Sequence, residues 1–140
     1  MKINDYSFDQ IKVNDEFQFA RTITKEDVAN FAKLSGDFNP LHMDGEFANT
    51  TIFKGTKIHG MLAGSLFSTL LGMVCPGKQN FYLSQSLNFK LPIEPETELI
   101  VKGRVKKKID SVKVMVVETT ITVDGKIVID GEAKVKLLDY

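Results

Sequence analysis

A chain of 140 residues is long enough to bury one hydrophobic core and too short for two full ones, so residues 1–140 are read as a single domain. Its 18 lysines and arginines balance 18 aspartates and glutamates, which leaves no global field to draw it to nucleic acid or to an anionic membrane. The single cysteine, Cys75, excludes an internal disulfide, and Met1-Lys2-Ile3-Asn4-Asp5-Tyr6 lacks the apolar run of a signal peptide, so a reducing, cytoplasmic location is expected.

From Phe8 to Ile23 apolar and polar residues alternate loosely, with Phe17 and Phe19 around Gln18, which predicts a short strand entering a loop. Thr24 then offers an N-cap hydroxyl and Asp27 a carboxylate three residues later. Val28, Phe31, Ala32 and Ser35 fall on one helical face, so a helix starts near Lys25. Gly36 suits the left-handed residue that closes a helix, which sets Asp37 directly after the end. In Ser35-Gly36-Asp37-Phe38-Asn39-Pro40-Leu41-His42 no ordinary helix runs through, because Pro40 lacks an N–H and drives Asn39 towards extended geometry. A turn of this kind can aim the Asp37 carboxylate and the His42 imidazole at one point, as an acid/base pair around one water would require. Asp44 to Thr50 predicts one more short helix, and Thr51 to Lys57 a loop.

Ile58 to Val74 is apolar or small on nearly every face and ends at Cys75-Pro76-Gly77, which predicts a buried helix. A membrane span needs about 20 predominantly apolar residues; this run is shorter and carries His59, Ser65, Ser68 and Thr69. The second half supplies the wrapping. Phe81, Leu83, Leu87, Phe89 and Leu91 alternate with polar residues and predict a long strand with one apolar face. Leu99, Val101 and Val105 continue the pattern, and Lys106-Lys107-Lys108 predicts a solvated turn. Between Val112 and Val123 the apolar register shifts by one, which predicts a bulge near Val116. Asp124-Gly125 predicts a two-residue hairpin turn into Ile127 to Leu137, with Asp130, Glu132, Lys134 and Lys136 facing outward. Early helices and late strands define an α+β domain whose antiparallel sheet needs a cover. A sheet wrapped around one long central helix is the hot-dog arrangement.

Two segments carry a resemblance. Phe31-Ala32-Lys33-Leu34-Ser35-Gly36-Asp37-Phe38-Asn39-Pro40-Leu41-His42, followed by Phe47-Ala48, resembles the signature of the MaoC-like (R)-specific enoyl-CoA hydratases, which include the (R)-hydratases of the polyhydroxyalkanoate pathway. Ile58-His59-Gly60-Met61-Leu62 resembles the start of that family's central helix, and similarity extends over roughly residues 17–138. The resemblance implies a hot-dog homodimer with an additional overhanging helical segment. It also implies a lyase of fatty acid metabolism that adds water to trans-2-enoyl-CoA, giving (R)-3-hydroxyacyl-CoA, or runs the reverse dehydration. Asp37 and His42 match the family's catalytic pair, and Gly60 the residue whose backbone N–H bonds the thioester carbonyl. Asn39 and Ser68 match residues around the same site. Leu71 and Val135 resemble positions that line the acyl pocket, and their bulk leads to an expected preference for short chains, roughly four to six carbons. No metal and no cofactor are implied, since coenzyme A arrives as part of the substrate.

The reaction has three demands: activation of water towards C3, delivery of a proton to C2, and stabilisation of the charge that grows on the carbonyl oxygen. Asp37 and His42 suit the first two, without the sequence assigning which is base and which is acid. Unpaired N–H groups at the helix start near His59-Gly60 suit the third. Each residue also has a plainer reading. Asp37 and Asn39 are both common turn-formers, His59 reads as a structural residue at a helix start, and Ser68 as a hydroxyl bonded to its own backbone. A zinc site from Asp37, His42, Asp44 and His59 lacks the usual ligand spacing, and Cys75 has no catalytic partner nearby. The rival functions are a 3-hydroxyacyl-(acyl carrier protein) dehydratase, a hot-dog acyl-CoA thioesterase, and an acyl-binding scaffold with no catalysis.

Overall fold

The computed structural model describes residues 1–138. Local capping sets the first helices. The Thr24 hydroxyl accepts from the Asp27 amide at 3.1 Å, and the Asp27 carboxylate accepts from the Thr24 amide at 2.9 Å. This capping box opens α1, Lys25–Ser35, and Gly36 closes it at φ 80°, a value that a side chain would strain. Asn39 then caps α2, Pro40–Met43, through a bond from the Leu41 amide at 2.9 Å, with Pro40 at a position where no N–H is needed. Asp44 caps α3, Gly45–Thr50, by accepting from the Phe47 amide at 3.1 Å. The helix near Lys25, the break at Pro40 and the short helix after Asp44 all stand where the sequence places them.

The central helix runs in three pieces: α4, Gly60–Gly64; α5, Leu66–Thr69; and a π-helical turn, Leu70–Val74. The joint falls at Ser65, whose hydroxyl turns back onto the Leu62 carbonyl at 2.6 Å and competes with the regular ladder. Ala63, Leu66, Phe67, Leu70 and Leu71 are buried, whereas Met61, Ser65 and Ser68 are exposed. The expectation of burial on every side is therefore corrected: within one chain this helix keeps an open side.

Strands β1 (Glu16–Thr22), β2 (Asn80–Gln85), β3 (Asn88–Phe89), β4 (Glu98–Ile109), β5 (Val114–Val123) and β6 (Lys126–Leu137) form one sheet. Its order is β1-β4-β5-β6-β2, with β3 also on β6, and every pair is antiparallel. With the central helix against it, this is the hot-dog α+β fold. Two apolar clusters join helix and sheet, one around Phe67, Leu70, Leu99 and Ile121, the other around Leu71, Met115, Val117 and Val135.

Three strand expectations need correction. Lys106, Lys107 and Lys108 lie inside β4 and form no turn. Lys107 and Lys108 pair with Val116 and Met115 of β5, so the ladder holds the run extended, while Lys106 reaches Glu132 at 3.0 Å and Lys108 Nζ donates to the carbonyls of Phe8 and Ile11. The chain turns only at Asp110–Val112. The bulge sits opposite the expected place: Val105 pairs with Val117 and Lys107 with Val116, so the extra residue is Lys106 on β4. The third correction concerns β2. A register shift between Tyr82 and Ser84 leaves Leu83 unpaired, Tyr82 packs on the core, and Gln85 reaches Thr119 at 2.9 Å. Phe81 and Leu83 face outward instead, 53% and 47% exposed. Beyond the strand end, Leu87 and Phe89 return to the helix, where Gly64 and Gly60, one turn apart, leave room for them. The hairpin at Asp124-Gly125 matches the expectation, with φ 49° and 77° at its two residues.

Candidate active site

The end of α1 fixes the first catalytic candidate. Ser35 Oγ accepts from the Asp37 amide at 3.2 Å, and Asp37 Oδ1 accepts from the Asn39 amide at 3.1 Å, so the turn is tied by its own side chains. The Asp37 carboxyl stays half-exposed. The first turn after Pro40 carries His42, whose Nδ1 lies 2.7 Å from the Lys57 carbonyl. A carbonyl only accepts, so Nδ1 holds the proton of the neutral ring and Nε2 carries the free lone pair.

The central helix brings the third component. Its N-cap, His59, is buried, and Nε2 donates to the backbone carbonyl of Asp37 at 3.0 Å. The same nitrogen lies 3.9 Å from Asp37 Oδ2. The His59 ring stacks on His42 with centroids 3.9 Å apart and 27° between planes, and Phe31 meets it edge-on at 4.9 Å. One oxygen of Asp37 and one nitrogen from each histidine lie within 4.8 Å of one another. Two hydrogen bonds of ordinary length that meet at a tetrahedral angle span about 4.6 Å, so a single water fits between carboxylate and imidazole. The trio is less suited to a metal, because the His59 nitrogen beside Asp37 already carries a proton.

Phe31, Ser35, Asp37, His42, His59, Gly60 and Met61 enclose a cavity of about 200 Å³. Its walls at His42, Gly60 and Met61 also bound a larger apolar cavity of about 410 Å³, closed by Leu41, Phe89 and Ile129. That size and lining suit a small organic ligand with a few directed polar groups. A side chain at Gly60 would come within 2.7 Å of the Phe89 ring, so only glycine fits here. Its backbone N–H has no acceptor among the described residues and is free to receive one.

The structure thus unites Asp37, His42 and Gly60, and it separates the remaining candidates from them. Asn39 spends its side-chain oxygen as the cap of α2. Ser68 lies two turns along the central helix from Gly60, about 12 Å at the usual rise, and is exposed. Leu71 and Val135 are both fully buried in the second apolar cluster. Cys75 is buried as well, which pushes its thiol up to about 12, with Asp15 adding to the shift, so it offers no thiolate nucleophile. Sequence reasoning missed one contributor and read a second, His59, as structural only. The Lys57 carbonyl orients His42, and being backbone it leaves no mark in the residue pattern. His59 does leave a mark, as an imidazole directly before Gly60.

A sheet packed on a central helix, with an Asp–His pair beside the first turn of that helix, defines a hot-dog protein equipped for acid/base chemistry. The MaoC like domain matches residues 9–127, and the chain belongs to that family. It is 42% identical over 132 residues to the (R)-specific enoyl-CoA hydratase of Aeromonas caviae, covering 94% of this chain and 98% of that protein. To the (R)-specific enoyl-CoA hydratase of Rhodospirillum rubrum it is 39% identical over 128 residues, 91% of this chain and 89% of that one. Among solved structures, the R-hydratase PhaJ1 from Pseudomonas aeruginosa superposes with a TM-score of 0.93 at 32% identity, over 99% of this chain and 89% of that chain.

Proposed function

We propose that the protein is an (R)-specific enoyl-CoA hydratase, a hydro-lyase that adds water across the C2–C3 double bond of a trans-2-enoyl-CoA and catalyses the reverse dehydration. The observation that carries this reading is the Asp37 carboxylate and the His42 ring, within 4.8 Å of each other at the edge of a cavity that Gly60 also lines. A water held between them gives a proton to Asp37 as its oxygen attacks C3, while His42 Nε2 accepts a hydrogen bond from the O–H that stays on the attacking oxygen and fixes its direction. Charge then moves to the thioester oxygen, where the Gly60 N–H stabilises it. The proton taken from water returns at C2, so both side chains end as they began. Coenzyme A enters as part of the substrate, and no step calls on a metal or other cofactor. In this reading Asn39 supports the site through its cap of α2, and Ser68 bears on the substrate only from the open side of the central helix. Leu71 and Val135, packed apart from the pair, limit the depth available to the acyl chain so that short chains are preferred.

The working form in this reading is a homodimer. Phe81, Leu83, Phe89 and Leu91 are each about half-exposed along the edge of the sheet, where unpaired backbone groups invite a further strand. A second copy covers that row and faces the open side of the central helix, where Ser68 stands. The single cysteine, which forms no internal disulfide, suits a reducing cytoplasm.

The test is incubation with crotonyl-CoA and longer trans-2-enoyl-CoA substrates, following loss of the conjugated enoyl absorbance, with chiral analysis of the product. The expected product is the (R)-3-hydroxyacyl thioester. Folded protein that turns over no chain length, or that releases free coenzyme A instead, refutes the assignment, and parallel carrier-protein thioesters identify the natural thiol.

A further inference from the structure

We infer that His59 is a positioning residue for the Asp37–His42 pair; the kinetic part of this inference rests on the hydratase reading, and the structural part stands without it. One ring makes all the contacts required. Its Nε2–H holds the Asp37 carbonyl at 3.0 Å, and its face supports the His42 ring at 3.9 Å. Phe31 braces it edge-on from the side at 4.9 Å. As the residue before Gly60, His59 also ties the acid/base pair to the amide proposed for the thioester oxygen.

The alternative, a buried ring that only fills space, predicts a different residue. Phenylalanine also supplies a flat buried ring and leaves no polar atom unpaired. His59 instead buries Nδ1 with no hydrogen-bond partner among the described residues, an arrangement that native interiors rarely keep without a reason. The reason lies at the other end of the ring, because an imidazole combines a flat stacking face with an N–H directed at Asp37. Nor does His59 cap its own helix. The N-cap position favours Ser, Thr, Asp or Asn, whose side chains bond the first amides; here the side chain turns away from α4 towards Asp37. Both imidazoles are consequently anchored at one nitrogen, His42 through Nδ1 and His59 through Nε2, which leaves His42 Nε2 uncommitted in a ring that lines the cavity.

His42 and His59 are the only two histidines, so an imidazole nitrogen spectrum of the ¹⁵N-labelled protein contains these rings alone. At a pH where both rings are neutral, the expected result is two opposite tautomers, Nδ1–H for His42 and Nε2–H for His59. His59→Gln makes the assignment by removing one set of signals. An Nδ1–H tautomer at His59 removes the bond to Asp37 and overturns the proposal, whether or not the protein hydrates anything. In the kinetic arm, His59→Phe keeps the stacking ring and loses the N–H, whereas His59→Gln keeps an N–H and loses the ring. His59→Phe is expected to lower kcat on crotonyl-CoA about 10- to 100-fold, the scale of a small misplacement of catalytic groups. KM should stay within about threefold, and His59→Gln should recover part of the lost kcat. A His59→Phe protein with wild-type kcat overturns the proposal, as does a loss that merely follows the folded fraction. Expected tautomers in a wild-type protein that turns over no enoyl thioester support the contact and overturn only the hydratase reading.

Discussion

The two ends of the central helix follow opposite rules. At its start, His59 and Gly60 leave polar groups uncommitted: an imidazole nitrogen without a partner and a backbone N–H without an acceptor, beside a carboxylate that remains half-exposed. At its far end, Leu70 and Leu71 are sealed, Cys75 is buried, and the last turn widens into a π-helix against the sheet. Buried polar groups in native proteins are nearly always satisfied. His59 Nδ1 at the start and Asn80 Oδ1, whose side chain lies beside Gly72 at the far end, both lack a partner among the described residues. What distinguishes the ends is the cavity and the uncommitted Gly60 N–H at the start, against the apolar packing of Leu70 and Leu71 at the far end. One helix therefore carries two residues that border the Asp37–His42 cavity and also the packing that anchors them.

The sharpest way to break this contrast is to remove a reactive group and watch stability. Asp37→Asn keeps an oxygen to accept from the Asn39 amide, so the turn survives, while the carboxylate proposed as the base is lost. The expected result is a fall in kcat of about 10²- to 10⁴-fold, the usual contribution of a positioned acid or base. The melting temperature should remain close to wild type, because the side chain is half-exposed and its structural bond is retained. Activity and stability falling together would mean that Asp37 is a turn residue first, and the start of the helix would then resemble its end.

How far the sequence makes these ends legible depends on the range of the interactions involved. Thr24 with Asp27, Gly36, and Asn39 with Pro40 act within a few residues of themselves, so the elements before the central helix and the place of Asp37 are readable directly. Family resemblance points to Asp37, His42 and Gly60 together, and the fold does bring them around one cavity. Long-range pairing is where pattern reading fails. Phe81 and Leu83 alternate as an inward face should, yet Tyr82 takes the inward place between them and both stand outward, where an apolar row meets whatever lies beyond this chain. Lys106 to Lys108 read as a turn because their partners, Glu132 and the carbonyls of Phe8 and Ile11, are distant in sequence. Val114 to Val117 are all buried, so no alternation exists there from which to locate the bulge.

A smaller effect, and the opposite one, is expected at the sealed end. Leu71 is fully buried against Val135 and Met115, and Leu71→Ala should cost about 2–5 kcal/mol of stability, as large-to-small core changes do. Denaturant unfolding measures that loss. If Leu71 also bounds the acyl pocket, the same variant extends the range of accepted trans-2-enoyl-CoA chain lengths while kcat on crotonyl-CoA changes little. A stability loss with unchanged chain-length preference would make Leu71 a packing residue alone and sharpen the division between the two ends.

The mildest probe leaves the protein unmodified until it opens. Burial raises the Cys75 thiol to about 12, and Asp15 adds to the rise. At pH 8 such a thiol is thiolate to about one part in 10⁴, whereas an ordinary thiol near 8.5 is about one quarter thiolate. A thiol-directed reagent should therefore label the native protein very slowly and the denatured protein at once, with activity unaffected until label appears. The sign of the pH effect follows from the same shift. Because the folded value lies above the unfolded one, the contribution of this site to stability is complete below about pH 9 and is lost as pH rises towards 12. Labelling of native protein should accelerate over that interval, through both thiolate formation and easier opening. Rapid labelling at pH 8 would instead mean that the far end opens readily, and a helix loose at that end has no fixed point from which to hold His59 and Gly60 against Asp37.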